Sequence, residues 1–340
     1  MRLLDLIVQG HCADVRSNDG CELPGAGDFR GTIRDCPLRY VLSDELVRCA
    51  TQLAYAEGDR LSGCLDLIHL PARTLWVEWS EPPRLEALQE IPSLAVTIKR
   101  SAKRTGVLVR SAPGCRSGTM RTFWSTQTER VLLSPMITLF DLDDSLRAPI
   151  QPVCYSGLGN AFLYMQEEPA INEILGHLQF RLDEQWAQYY QERCLDPALK
   201  EQVLRANLGH CAFDAPLILA FALLLGARDL LPRQFVDHAR LNRARGKTGK
   251  PPLLEHIEVT APIDQPSWQT QAPSGASIRL SPRLHHVRGH LVRRNSIVFW
   301  RSPHLRGSGR LGRIRTRTVE ISYRVDPGEG SAKPKLQYAS

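Results

Sequence analysis

The chain has 340 residues, 43% of them hydrophobic, and a formal charge of +7. That length exceeds one ordinary core and suits two or three units, and the apolar content excludes a disordered or low-complexity chain. The longest apolar run, Ala215–Gly226, contains Pro216 and falls short of the roughly 20 residues that span a bilayer, while Met1–Val8 lacks the flanks of a signal peptide. The chain therefore reads as soluble and cytoplasmic, with no membrane contact.

Residues 1–40 are rich in Gly, Asp, Cys and Arg and read as loop after a short apolar start. Ser43 is placed to cap a helix that begins at Asp44, with Leu46, Cys49, Ala50, Leu53 and Ala54 along one face. The period then changes to two. Thr74–Trp79 alternates, and Leu94–Lys99, Gly106–Arg110, Met120–Ser125 and Ile137–Phe140 are short β-branched or aromatic runs, which predicts an antiparallel sheet. From Glu167 the spacing of Ile171, Ile174, Leu175, Leu178 and Leu182 predicts helix, as does that of Trp186, Tyr189 and Tyr190. Asp196-Pro197 opens the next helix, and Ala215–Leu225, apolar all round, makes it the central core element. A further helix is expected from about Pro232 toward Arg245, stopped by Gly246, Gly249 and Pro251-Pro252.

The expected fold class is α+β, an antiparallel sheet plus a helical core with a small basic β-rich C-terminal module. Its expected divisions are an N-terminal α+β region over 1–165, a helical region over 166–250, a linker or long loop over 251–276, a basic β-hairpin module over 277–326 and a flexible tail over 327–340.

Charge is unevenly placed. Residues 233–324 carry 18 Lys/Arg against 5 Asp/Glu, a net of +13, and the rest carries 25 against 31, a net of −6. An acidic body with a basic C-terminal third is the pattern of a polyanion-binding face, or of a solvated surface. Within that third, Pro282–His290 and Trp300–Gly307 collect His285, His286, His290 and His304 among many arginines. Read as a strand from His285 to Arg294, alternation sets His286, Arg288 and His290 on one face and His285 with Val287, Gly289 and Leu291 on the other. Asn295-Ser296 then turns the chain and Ile297–Arg301 returns.

Three readings of this segment stand side by side. Arg283, Arg288, Arg293, Arg294, Arg301 and Arg306 would hold phosphates while Trp300 or Phe299 offers a stacking surface, for RNA or single-strand binding. Alternatively, imidazoles among His285, His290 and His304 would act as acid and base in metal-independent RNA cleavage. In the third reading these groups are structural, bonding backbone carbonyls. A metal site at His285, His286 and His290 lacks a carboxylate or cysteine complement.

No Walker motif, dinucleotide fingerprint or nucleophile elbow is present, so no cofactor is implied. Ser156–Asn160 reads as a short turn, and Asp141, Asp143 and Asp144 as an exposed acidic turn. The nine cysteines form no C-x-x-C pair and read as reduced thiols, and those at Cys12, Cys21 and Cys36 beside His11 match no standard zinc spacing.

Arg283-x-His285-x-x-Arg288-Gly289-His290, followed by Trp300-x-x-Pro303, resembles the C-terminal signature of a plasmid- and phage-borne family of mostly uncharacterised proteins. One member of that family is an anti-CRISPR protein directed at the type V-A effector nuclease. Leu70-Pro71 with Trp76-Val77-Glu78, and Leu241-Asn242-x-x-Arg245-Gly246-Lys247-x-Gly249-Lys250, are similar to further segments of it. The resemblance implies a mobile-element protein that suppresses production of a target through the nascent peptide and its mRNA. RNA, a ribosome with its nascent chain, and a CRISPR effector or other host protein are the partners it implies. A protein-binding inhibitor that recognises its target through the acidic domain remains the alternative.

Overall fold

The computed structural model describes residues 1–13, 23–91, 102–144, 146, 169–192, 196–227 and 230–261, together with the backbone of five strands between residues 283 and 313. The chain divides into two compact units, Met1–Pro262 with Arg293–Phe299, and Ile263–Val292 with Trp300–Ser340. The runs expected as strand at Leu94–Lys99 and as turn at Ser156–Asn160 lie outside the described residues.

The first unit is α+β. Its strands are β1 (Leu38–Leu42), β2 (Thr74–Ser80), β3 (Arg104–Ser111), β4 (Ser117–Ser125), β5 (Val131–Asp141), β6 (Leu178–Leu182), β7 (Arg233–Val236) and β8 (His256–Val259). They form one sheet in the order β6-β5-β4-β3-β2-β1-β8-β7. The sheet is mixed, not antiparallel throughout: β2 to β6 run as an antiparallel meander, but β1 pairs in parallel with both β2 and β8. The reason lies between β1 and β2, where helices α3 (Asp44–Tyr55) and α4 (Gly58–Ser62) carry the chain back before it re-enters the sheet in the same direction. Ser43 opens α3 as expected, its Oγ accepting the Leu46 N–H at 3.3 Å.

Two elements depart from the hydrophobic spacing. The helical repeat read through Leu182 crosses a boundary, because that helix covers only Pro169–Gly176 and Leu178–Leu182 is strand β6, laid against β5. Leu178, Phe180 and Leu182 alternate as readily as they repeat at helical spacing, and strand pairing decides between the two periods. The helix expected from Pro232 is instead the edge strand β7, which pairs antiparallel with β8, followed by a helix over Ala239–Lys247.

The sheet is covered on both faces. Helix α1 (Leu3–Gln9) and α2 (Arg30–Arg34) bury Leu3, Leu4, Leu6, Ile7 and Ile33 against Trp76, Leu108 and Phe123. Gly106 of β3 admits the Trp76 indole at close quarters, since a Cβ there would overlap both that ring and Leu3. The first turn of α1 is anchored from β2: the buried carboxylate of Glu78 accepts the N–H groups of Leu3 at 3.0 Å and Leu4 at 2.9 Å, and also binds Trp76 Nε1 and Arg104 Nε. An anion at a helix N-terminus satisfies donors that have no partner within the helix and complements its dipole.

On the other face lie α3, α5 (Glu81–Gln89) and, beyond α6 (Pro169–Gly176) and α7 (Glu184–Glu192), the long helix α8 (Pro197–Gly226). Asp196 Oδ1 accepts the Ala198 N–H at its start. Among the described residues, one helix segment is long and apolar enough to cross a membrane, Asn207–Gly226, and nearly all of its residues are buried within the protein.

A buried ion cluster ties α8 down. Arg84 of α5 contacts Asp214 of α8 at 2.5 Å and Glu81 at 3.3 Å, with both carboxylates and the guanidinium at 1% exposure or less. Thr105 and Trp79 also donate to Glu81, and the Arg84 guanidinium lies 5.6 Å over the Trp79 ring. Burial alone opposes charge on Arg84, but Glu81 and Asp214 outweigh it and raise its pKa, so the guanidinium stays protonated. Pro216 has no N–H to return to the preceding turn, and nearby the Phe213 carbonyl accepts side-chain donors from Arg84 and Tyr55.

Removing the cation would leave two buried carboxylates uncompensated. Arg84→Ala is expected to lower unfolding free energy by about 3–5 kcal/mol. Arg60→Ala, which removes an exposed pair with Glu57, is expected to change it by less than about 1 kcal/mol. Urea unfolding followed by circular dichroism checks both.

Candidate nucleic-acid interface

The residues that the sequence marks for RNA fall on short strands. These are β9 (Arg283–Val287), β10 (His290–Arg294), β11 (Ile297–Arg301), β12 (His304–Arg306) and β13 (Ser308–Arg313). They make two separate ladders, β10-β11 and β12-β9-β13. Arg283 and His285 therefore lie on β9, His290, Arg293 and Arg294 on β10, Trp300 and Arg301 on β11, and His304 and Arg306 on β12. Arg288, the Asn295-Ser296 turn and Pro303 lie outside the described residues.

Register brings some of these positions together. In the antiparallel β9/β12 ladder, Arg306 stands opposite His285 and His304 opposite Val287. Opposed positions share a face and alternate ones return to it, so 285, 287, 304 and 306 occupy one face of that ladder. Positions 285 and 304 are then diagonal neighbours, roughly 7–8 Å apart. His290 belongs to the other ladder.

A second basic element lies in the first unit. Helix α9 (Ala239–Lys247) follows β7, and the Ala239 N–H is accepted by Asp237 Oδ1 at 2.7 Å. The helix ends where Gly249 takes a left-handed φ of +68° and the Lys250 N–H bonds back to the Arg245 carbonyl. It buries no residue. One side of it is fixed to the returning chain: Asn242 exchanges two 2.8 Å hydrogen bonds with the backbone of Leu253, and Arg245 Nε donates to the Pro251 carbonyl. At 100° per residue, Arg240, Arg243 and Lys247 fall together on a different side.

All three cations are exposed, as is Lys250. Their side chains make no hydrogen bond or ion pair among the described residues. Phe235, on the edge strand just before α9, is 63% exposed, and Leu241 is 48% exposed. These cations belong to the basic third but lie outside the candidate site that the sequence marks. Arg240 and Arg243 already fall within the expected helix, and Lys247 joins them in one stripe because the helix runs past Arg245 to Lys247.

The base of α9 is held to the rest of the unit by polar contacts. His256 of β8 is buried and stacks on His238 at 5.5 Å, with Nδ1 3.1 Å from the Leu254 carbonyl and Nε2 3.5 Å from Glu258. Glu258 in turn accepts Arg2 Nη2 at 2.7 Å, and Asp5 of α1 accepts the Leu254 N–H. Thus the same N-terminal helix that Glu78 anchors also holds the strand and loop on which α9 rests. Comparison of the chain with protein-family models, curated proteins and solved structures gives no match.

Burial lowers the pKa of His256 below its usual 6.5, against the opposing pull of the Leu254 carbonyl and Glu258. The folded state therefore favours the neutral ring, and stability is lost as pH falls through the unfolded value toward the depressed folded one. The thermal midpoint is expected to drop between about pH 7 and pH 5, and His256→Gln is expected to make that drop smaller. Differential scanning fluorimetry across this range reads the difference.

Proposed function

We propose that this is a mobile-element protein, related to the plasmid- and phage-borne family its C-terminal signature resembles, that binds RNA or a translating complex through its basic His/Arg module and lowers expression of a target. The observation that carries this reading is the concentration of +13 in residues 233–324 against −6 in the remainder. Phosphates are the partner that such a field attracts over distance and that arginine forks bind in pairs. Arg283, Arg293, Arg294, Arg301 and Arg306 hold the phosphates, with Trp300 as the stacking surface, and Arg288 completes the set from the signature. A CRISPR effector nascent chain is the target class that the resemblance supplies.

The motif residues outside the module fit this reading as scaffold. Trp76 and Glu78 build the anchor of α1, and Asn242 and Arg245 clamp the loop after α9. None of the four needs a ligand to explain its presence.

A second reading rests on the β9/β12 register. With 285 and 304 diagonal on one face and Arg306 opposite 285, a metal-independent ribonuclease would use His285 and His304 as acid and base. One imidazole would take the 2′-hydroxyl proton, the other would protonate the leaving 5′-oxygen, and Arg306 would stabilise the charged phosphorane.

The two readings separate in one set of assays on the full chain. Arg293→Ala/Arg294→Ala/Arg301→Ala/Arg306→Ala is expected to weaken single-stranded RNA binding by at least about tenfold and to flatten its dependence on salt. Wild-type binding that is insensitive to salt would contradict the phosphate reading. For the nuclease reading, wild type in the presence of EDTA cuts RNA and His304→Ala does not; RNA left intact by wild type removes it.

A further inference from the structure

We infer that β7 and α9 form a second, separate binding surface for single-stranded RNA, with Arg240, Arg243, Lys247 and Lys250 on phosphates and Phe235 beneath a base. The surface lies on residues 233–250 of the first unit.

Helix α9 carries charge of one sign only. The helix sequence ARLNRARGK contains no Asp or Glu, so no carboxylate of its own offsets its cations. Arg240, Arg243 and Lys247 stand at separations of three and four residues, where like charges on a solvated helix repel and weaken it. Several arginines elsewhere in the unit meet carboxylates, as in Arg2–Glu258, Arg104–Glu78, Arg116–Asp143 and Arg121–Asp183. On α9 the chain instead commits Asn242 and Arg245 to holding the loop, and leaves the other cations facing water. An unneutralised stripe on a clamped helix is preorganised for an anionic partner, because little order remains to be imposed on binding.

The helix rise sets Arg240, Arg243 and Lys247 about 4.5 and 6 Å apart along its axis. Such a row follows a chain of successive charges better than it surrounds one isolated anion. Phe235 narrows the class further. Four residues span at most about 14 Å of extended chain, so the backbone of Phe235 stays within that reach of the first turn of α9. A flat ring at 63% exposure on an open sheet edge offers a base the face it uses in stacking, which unpaired bases present and duplex bases do not. A lipid surface is the poorer fit: Ala239, Leu241 and Ala244 are the apolar residues of α9, too few for a helix that lies in a membrane interface.

The test uses the full chain, a fluorescent 20-nucleotide single-stranded RNA and anisotropy at several salt concentrations. Arg240→Ala/Arg243→Ala/Lys247→Ala is expected to weaken binding by at least about tenfold and to reduce the slope of log K against log salt by about 2, the counterions of three phosphates. Phe235→Ala is expected to lose about fivefold or more and Phe235→Leu a similar amount, with Phe235→Tyr restoring affinity, as a stacking role requires. None of these exposed side chains supports the core, so unchanged unfolding by circular dichroism accompanies the loss. A triple variant with wild-type affinity and slope overturns the inference. So does a variant that loses binding to anionic vesicles while its RNA affinity is unchanged, which assigns the stripe to lipid. If the C-terminal arginine variant binds as wild type while the triple variant fails, the C-terminal reading falls and this one stands.

Discussion

Arg84, shut away from water between Glu81 and Asp214, determines where the long apolar helix sits on the sheet. Apolar burial supplies most of the driving force for that contact, but burial has no direction, and a helix greasy on all sides can rotate or slide on an apolar face at small cost. A guanidinium between two carboxylates has one geometry. It joins the end of β2, the start of α5 and the middle of α8, and Tyr55 adds α3 through the Phe213 carbonyl. With those elements fixed, the Tyr40 and Phe221 rings meet edge to face across the layer at 5.5 Å. The opposite face is set by a third buried carboxylate, Glu78, which holds the start of α1.

These three carboxylates illustrate how the body of the protein places its charge. Glu78, Glu81 and Asp214 each meet a guanidinium, and the acidic excess lies in the scaffold. The cations of α9 follow the opposite rule: they stand in a row, at the surface, on a helix whose other side is hydrogen-bonded in place. Structural charge is compensated where it lies. Charge left uncompensated on a rigid support is available to a partner, and the sign and spacing here suit a polyanion.

Much of the scaffold was legible from local signals. The Ser43 cap, the alternation in β2, the short β-branched or aromatic runs of β3 to β5 and the apolar run in α8 depend on residues close in sequence, and each lies in the element expected there. The strand β6 was not legible, because Leu178 and Leu182 satisfy both periods and only the partner strand β5 decides. The parallel placement of β1 between β2 and β8 also depends on partners far along the chain. Asp214 inside an apolar helix was readable as an anomaly, but its partner Arg84 lies 130 residues away and no spacing rule connects them. At the candidate site, the basic composition was plain from the start. The stripe on α9 required the helix boundary, and the register of the C-terminal strands required the ladders.

The most direct test of the account is ultraviolet crosslinking of the full chain to RNA in cells, with the crosslinked peptides mapped by mass spectrometry. Crosslinks confined to peptides covering residues 233–250 and 283–306 are the predicted result, since both lie in the basic third. Recovery of a protein partner with no crosslinked RNA, or crosslinks confined to the acidic body, would contradict it.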